Sequence, residues 1–120
     1  MSNPVIHWEI VSAEAKKLQG FYSELFDWQI NDDNPMQYGL VASSEGGGIN
    51  GGIGPSLDGS VSLTIYVQVA DLEATLEKVE SLGGQTIMPP MEIPNMVTFA
   101  KFSDPDGNII GLVKEDSGSQ

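Results

Sequence analysis

Residues 5–30 read VIHWEIVSAEAKKLQGFYSELFDWQI and contain the pattern from which a strand followed by a helix is predicted. Its first seven residues are rich in β-branched and aromatic side chains, which predicts a strand. After Ser12, a plausible helix cap, apolar side chains recur at spacings of three and four, which predicts an amphipathic helix over 13–26. The apolar stripe of this helix consists of Ala15, Leu18, Phe21, Tyr22, Leu25 and Phe26. A second extended segment begins at Trp28.

The same order of elements returns in the second half of the chain. Residues 63–69, LTIYVQV, predict a strand, Asp71 predicts a helix cap, and the pair Gly83 and Gly84 predicts the end of that helix. Shorter strands are predicted at 38–42, 49–54, 86–88, 97–102 and 109–113. Residues 89–94, PPMEIP, predict a semi-rigid extended connection that overhangs a cleft as a lid.

This repeated order predicts a single α+β domain over residues 1–120. Two βαβββ modules, over 5–54 and 61–114, are joined by a linker over 55–60, which is rich in proline, serine, aspartate and glycine. The glycines at 46–48, 51 and 52 lack the spacing of a dinucleotide fingerprint and predict a bulged, tightly turning strand.

The charge of the chain narrows the classes of binding partner. It has 17 Asp and Glu residues but 5 basic residues, so its net charge is −12. All basic residues are lysines, so the arginine fork that binds phosphate and reads guanine is missing. Nucleic acid and anionic membrane surfaces are therefore disfavoured as partners, and a cationic or neutral small organic molecule is favoured. The alternative is that the acidity only keeps the protein soluble.

Other compositional facts exclude further classes of protein. No apolar run approaches the ~20 residues that span a bilayer, and the first residues, MSNP, show no signal-peptide pattern, so we expect a cytoplasmic protein. With no cysteine, disulfides, thiolate nucleophiles and zinc–cysteine sites are excluded.

Alternation along the two long strands predicts one apolar and one mixed face in each, since successive side chains point to opposite faces. The apolar faces, predicted to meet the helices, carry Ile6, Trp8 and Ile10 in one strand and Leu63, Ile65, Val67 and Val69 in the other. The mixed faces carry His7, Glu9, Thr64, Tyr66 and Gln68. These five residues are the candidate site, and they either line a pocket or form the solvated face of a sheet.

The chain resembles the vicinal oxygen chelate superfamily of glyoxalase I, ring-cleaving dioxygenases and bleomycin-resistance proteins. The stretches that carry the resemblance are IHWEI at 6–10, GFYSELFDW at 20–28, GGGI at 46–49, YVQVADL at 66–72 and DPDGN at 104–108. The resemblance implies an incompletely closed, eight-stranded, barrel-like sheet with helices outside, a small-molecule cleft and a homodimer.

The resemblance also implies where a metal would be held in metal-dependent members. The four ligand positions fall on His7, near Asn50 to Gly52, on Thr64 and on Gly111, and His7 alone is a usual ligand. A catalytic metal needs three or more protein donors. We therefore expect no metal or other cofactor.

The function predicted from these features is binding of a small molecule without a metal. His7 and Glu9, two apart on one strand, are candidate catalytic residues for an isomerase, epimerase or lyase that moves a proton, and Thr64, Tyr66 and Gln68 are candidate ligand-binding residues. Glu9 is expected to keep His7 partly protonated near neutral pH unless burial outweighs the pairing. The alternatives are a non-catalytic, ligand-sequestering protein of the bleomycin-resistance type and a metal-dependent glyoxalase or dioxygenase.

Overall fold

The computed structural model of the chain describes residues 2–43, 47–56, 58–94 and 97–115. The elements are β1 (Val5–Ser12), α1 (Ala15–Phe26), β2 (Ile30–Asn31), β3 (Gly39–Val41), β4 (Asn50–Pro55), β5 (Ser62–Val69), α2 (Leu72–Ser81), β6 (Gln85–Ile93), β7 (Val97–Ser103) and β8 (Ile109–Lys114). The order strand, helix and three strands therefore occurs twice, as predicted. The fold is mixed α+β with an open sheet, which confirms the predicted class. Neither described helix is long and apolar enough to cross a membrane.

The chain divides into two compact units, one of residues 6–64 and one of residues 1–5 with 65–120. The predicted linker, 55–60, lies inside the first of these units, between the end of β4 and the start of β5. Leu57, within that segment, lies outside the described residues.

In the unit of residues 6–64, the strand order is β2-β3-β4-β1. Strand β1 runs parallel to β4, and the pairs β3–β4 and β2–β3 are antiparallel. Helix α1 packs against β4, where the buried Gln19 donates a hydrogen bond from its side-chain Nε2 to the Ile53 carbonyl at 2.8 Å. No described side chain caps the start of α1; Ser12 instead accepts a hydrogen bond from the Glu14 amide at the end of β1.

The apolar stripe predicted for α1 is buried only in part. Ala15 and Gln19 are the buried residues of this helix, whereas Phe21, Leu25 and Phe26 are each more than half exposed. The helix turns the Ala15–Gln19 side toward β4 because the Gln19 amide bonds to that strand. Phe21 and Leu25 are consequently left on the solvent side.

In the unit of residues 1–5 and 65–120, the strand order is β5-β8-β7-β6. Strands β5 and β8 are parallel and the other two pairs are antiparallel. The core lies between this sheet and α2 and consists of Val69, Leu72, Leu76, Ala100 and Leu112, with Val67 and Phe102 packed against it.

The ends of α2 follow the predicted local chemistry. The Asp71 side chain accepts a hydrogen bond from the Ala74 amide at 3.0 Å and caps the helix. Gly83 follows the helix with a positive φ of 103°, which is the conformation of a glycine C-cap. Asp104 accepts hydrogen bonds from the amides of Asp106 and Asn108 and closes the turn between β7 and β8.

Two predictions for this part of the chain are wrong. Ile65 does not meet a helix but is 38% exposed, because α2 packs at the Val67–Val69 end of β5. Leu63, which belongs to the unit of residues 6–64, is 71% exposed. Residues 89–93 are not a lid but belong to β6, which pairs with β7 through Ile93. The register of that pair shifts between Met88 and Met91, at the two prolines. Proline has no amide hydrogen, and it is tolerated here because β6 is the last strand of its unit.

Candidate functional site

Strand β1 carries the predicted catalytic pair, His7 and Glu9, on one face. Trp8, which lies between them in the sequence, is on the other face. Trp8 packs against Trp28, with ring centroids 5.2 Å apart, and Trp28 stacks on Tyr22 of α1. Because side chains alternate along a strand, His7 and Glu9 lie on the opposite face of β1, away from α1. Trp8 is therefore packed on the helix side, as predicted.

The phenol of Tyr38 joins His7 to Glu9. The His7 Nε2 and Tyr38 Oη atoms are 2.9 Å apart, and the same Oη donates a hydrogen bond to Glu9 Oε2 at 3.1 Å. The three side chains are half-buried, so the group is partly shielded from water but within reach of a ligand. We call His7, Tyr38 and Glu9 the polar triad.

Glycines of β4 make room for the rings on both faces of this strand. A Cβ atom on Gly51 would lie 1.9 Å from the Trp8 indole, and one on Gly52 would lie 2.1 Å from the Tyr38 ring. A Cβ atom on Gly54 would lie 2.4 Å from the same tyrosine. The strand is nevertheless regular here, since it pairs with β1 on one side and β3 on the other. Close approach of aromatic rings therefore explains these glycines better than a bulge. The predicted role of Gly46 lies outside the described residues.

The backbone of Tyr38 is held by side chains on two sides. The Asn34 side chain accepts a hydrogen bond from the Tyr38 amide at 2.9 Å and donates one to the Tyr38 carbonyl at 2.8 Å. The Gln19 amide group donates to the carbonyl of the preceding residue, Gln37, which has a left-handed backbone with φ of 54°. These contacts fix the position from which the phenol reaches the polar triad.

Burial lowers the pKa of His7 below its ordinary value of 6.5, and the nearby charge of Glu9 opposes this effect without overcoming it. The imidazole is therefore predominantly neutral at pH 7. Burial thus outweighs the pairing that was expected to keep the ring partly protonated. A neutral imidazole can accept a proton, which is what a general base requires.

The remaining predicted site residues are placed as follows. Thr64 belongs to the same unit as the polar triad and is buried, with 4% of its surface exposed. Tyr66 and Gln68 belong to the other unit. There the Tyr66 ring is 6% exposed, lies over Gly111 and meets Phe99 edge to face. The backbone amide of Gln68 donates to the Pro4 carbonyl at 2.9 Å. The structure thus joins His7 to Glu9, and the role of the other three residues stays a prediction.

Tyr38 is the site residue that sequence reasoning missed. The sequence pattern predicts Tyr38 as the start of a short strand and indicates no role for its side chain. A signal was present nonetheless, because Gly52 and Gly54 share a face of β4 and leave the part of that face beyond Asn50 without side chains. Such a face can admit a large ring from a neighbouring segment.

A shallow groove lies elsewhere in the same unit, beside the start of α1. It is lined by residues 13–17, Gln37 and Pro55 and does not include the polar triad.

The comparisons with known proteins agree with this fold. The family model described as "Glyoxalase/Bleomycin resistance protein/Dioxygenase superfamily" matches residues 5–112, so the chain belongs to this superfamily. The structure of a hypothetical protein, BH1468, from Bacillus halodurans C-125 is similar with a TM-score of 0.68 and 16% identity, covering 100% of this chain and 99% of that one. Methylmalonyl-CoA epimerase from Mycobacterium tuberculosis is similar with a TM-score of 0.67 and 16% identity, covering 92% and 86%.

A relative in sequence is the Mycobacterium bovis protein named "Putative glyoxylase CFP32". It is 42% identical over 50 residues, which are 42% of this chain and 19% of that longer protein. The match therefore covers a limited part of the relative.

The residues present do not fit the metal that the superfamily resemblance implies. Among the implied positions, Gly51, Gly52 and Gly111 have no side chain to offer, and an aromatic ring lies against each of them. The Asn50 side-chain oxygen already accepts a hydrogen bond from the Ser43 amide at 2.7 Å. Across residues 2–43, 47–56, 58–94 and 97–115, no group of three or more His, Asp or Glu side chains is placed to hold a metal ion. The chemistry available to the site is therefore that of its own side chains.

Proposed function

We propose that this protein binds a small organic molecule on the face of β1 and β4 that carries the polar triad, and that it moves a proton on that molecule without a metal. The observation that carries the proposal is the hydrogen-bonded connection of His7, Tyr38 and Glu9 on a half-buried surface. His7 is the general base because its ring is neutral at pH 7. Glu9 stabilises the positive charge that His7 acquires when it takes up a proton.

One protein of similar fold, at 16% identity, is named methylmalonyl-CoA epimerase, and epimerisation is among the reaction types proposed for this chain. The substrate class is argued from this chain alone. A net charge of −12 repels the phosphates of a coenzyme A ester and favours a neutral or cationic ligand. The proposed reaction is therefore isomerisation, epimerisation or elimination on a neutral or cationic organic compound.

Proton transfer can be tested before the substrate is known. A set of neutral and cationic heteroaromatic compounds with acidic C–H groups, and a matched set of phosphates and polycarboxylates, would be incubated with the protein in D₂O. Loss of individual C–H signals in proton NMR reports exchange. We expect exchange in at least one compound of the first set, and a decrease of about 10²-fold or more with His7→Ala.

The outcomes separate the alternatives. Compounds that shift protein signals but show no exchange would favour the non-catalytic, ligand-sequestering function. Binding restricted to phosphates would contradict the proposed substrate class. Exchange that persists in His7→Ala would move the catalytic group elsewhere in the chain.

We also propose that the protein forms a homodimer. Phe21, Leu25 and Phe26 expose apolar surface along α1, which a second copy of the chain would cover. Sedimentation velocity on the wild type should give the mass of two chains. Leu25→Glu should shift the distribution toward one chain, whereas Gln29→Glu, outside the helix, should not.

A further inference from the structure

We propose a second ligand site in the unit of residues 1–5 and 65–120, on the face of its sheet that is opposite α2. The ligand is a molecule with one carboxylate group attached to an aromatic or aliphatic group. The site consists of Lys101, which binds the carboxylate, and of Phe99, Met88, Met91 and Ile109, which contact the apolar group. We call these five residues the lysine face. The inference goes beyond the proposed function, because the lysine face contains no residue of the polar triad.

The core of this unit shows on which side of β7 the lysine lies. Ala100 belongs to the core beneath α2, and Phe102 packs against that core, so both side chains point toward the helix. Successive side chains of a strand point to opposite faces of the sheet. Phe99 and Lys101 therefore point away from α2.

The edge strand β6 adds two methionines to the same face. Met88 is paired with Lys101, and Met91 is paired with Phe99. Side chains of directly paired residues project from the same side of the sheet, with Cβ atoms ~4.5–5.5 Å apart. The two methionines consequently lie beside the lysine and the phenylalanine.

Strand β8 borders the lysine on its other side. Gly111 is paired with Lys101, and Ile109 lies two residues before this glycine on the same face. The Tyr66 ring occupies the space over Gly111 and meets Phe99 edge to face, with ring centroids 6.4 Å apart. Lys101 therefore has apolar neighbours on both adjacent strands.

The lysine face is accessible to a ligand. Met91 is 49% exposed and Ile109 is 40% exposed, whereas Lys101 and Phe99 are half-buried. The helix described for this unit, α2, packs on the opposite face of the sheet. A bound apolar group would cover the exposed side chains, and removal of apolar surface from water stabilises a complex.

Lys101 differs from the other lysines of the chain, all of which are exposed: Lys16, Lys17, Lys78 and Lys114. Among the described residues, its ammonium has no carboxylate within 4.0 Å and no hydrogen-bond partner. No unpaired side-chain nitrogen is buried in the described part of the chain, so solvent reaches this ammonium. A ligand carboxylate would supply the missing counter-ion through charge-assisted hydrogen bonds.

The net charge of the protein favours a ligand with a single negative charge. Salt screens exposed charges that lie more than about 10 Å apart, so the direct contact with Lys101 dominates for one carboxylate. The further charges of a phosphate or a polycarboxylate would have no cation beside them and would be repelled by the acidic protein. The ligand class is therefore an apolar monocarboxylate.

Four probes test this class on the wild-type protein. Naphthoate has the carboxylate and the apolar group, naphthamide has no charge, naphthylmethylammonium has the opposite charge, and acetate lacks the apolar group. Binding is followed by NMR on protein with isotopically labelled methionine methyl groups. We expect naphthoate to shift the signals of Met88 and Met91 and to leave Met36, in the other unit, unchanged. Its affinity should exceed that of the other three probes by about tenfold or more.

Three variants test the role of the ammonium. Lys101→Met removes the charge and keeps an apolar side chain on the sheet, and Lys101→Arg keeps the charge. Lys78→Met is the matched control, because it changes the net charge equally at an exposed position of α2. We expect the Kd of naphthoate to rise about tenfold or more in Lys101→Met and to change less than about threefold in the other two variants.

The alternative is that Lys101 only covers apolar sheet surface with its methylene groups. Naphthamide that binds as tightly as naphthoate, or an unchanged Kd in Lys101→Met, would show this and overturn the site. Acetate that binds as tightly as naphthoate would contradict the apolar part of the ligand, and the absence of shifts at Met88 and Met91 would contradict its position. None of these measurements involves proton transfer by His7, so the site and the proposed function fail separately.

Discussion

Replacing Gly52 by alanine should displace Tyr38 and break the polar triad. The added Cβ atom would lie 2.1 Å from the Tyr38 ring and its hydroxyl oxygen, whereas ordinary contacts begin at 3.4 Å. The ring must therefore move by more than 1 Å, which stretches its hydrogen bonds to His7 and Glu9 beyond their favoured range. Losing two hydrogen bonds costs about 1 kcal/mol each, and residual overpacking costs about 1–3 kcal/mol. Since the ring relieves part of the overlap by moving, we expect a net loss of about 2–4 kcal/mol.

The assay is urea unfolding followed by tryptophan fluorescence, because Trp8 packs on the other face of the same strand. Gly20→Ala is the matched control, since a Cβ atom there meets nothing within 4 Å. It should raise the free energy of unfolding by about 0.5–1 kcal/mol because alanine favours the helix. A loss below about 0.5 kcal/mol in Gly52→Ala, together with unchanged His7 NMR signals, would refute the proposed packing of Tyr38.

Three further predictions concern the core, the metal and the pH dependence. Leu76→Ala should cost about 2–5 kcal/mol in urea unfolding, because Leu76 lies on the buried side of α2, in the core between this helix and the sheet. A loss below about 0.5 kcal/mol would mean that this helix face is rotated. Elemental analysis should find no stoichiometric transition metal, and EDTA should leave Tm unchanged; a tightly held ion on His7 would contradict this. The pKa of His7 lies below 6.5 in the folded state, so the unfolded chain binds the proton more readily. The free energy of unfolding should therefore decrease as pH falls from 6.5 toward the folded-state pKa, and His7→Gln should remove this part of the pH dependence.

Local chemistry accounts for the elements that the sequence predicted well. Asp71 caps α2 through the Ala74 amide, and Gly83 ends that helix with a left-handed backbone. Both features depend on residues within a few positions of one another, so they can be inferred without knowing what packs against the helix. The turn at Asp104 is predictable for the same reason.

Predictions that depend on distant partners were less successful. The spacing of apolar residues in α1 does not reveal that Gln19 bonds to β4 and leaves Phe21 exposed. The prolines at 89 and 90 predict an extended connection outside the sheet, but an edge strand tolerates residues without an amide hydrogen. Composition cannot show that β6 is an edge strand, because that depends on the pairing of β7 with β8.

The candidate site shows the same division between local and distant information. Alternation alone placed His7 and Glu9 on one face of β1. Their connection through Tyr38 spans 31 and 29 residues of sequence and depends on the position of β4. The position of the Tyr38 ring could be predicted only by treating the surface over Gly52 and Gly54, which lack side chains, as space for an aromatic ring.

The two glycine positions explain why this member of the superfamily should not be converted easily into a metal enzyme. A carboxylate ligand at Gly52 requires a Cβ atom, and that atom would overlap the Tyr38 ring. At Gly111 a Cβ atom would lie 2.3 Å from the Tyr66 ring, so the same conflict occurs in the other unit. In each unit the aromatic ring and the metal ligand would compete for one space. A glutamate at either glycine would thus displace the aromatic ring packed there before its carboxylate could bind a metal ion. The packing of an aromatic ring on each of these glycines is consequently a physical reason for the proposed metal-free chemistry.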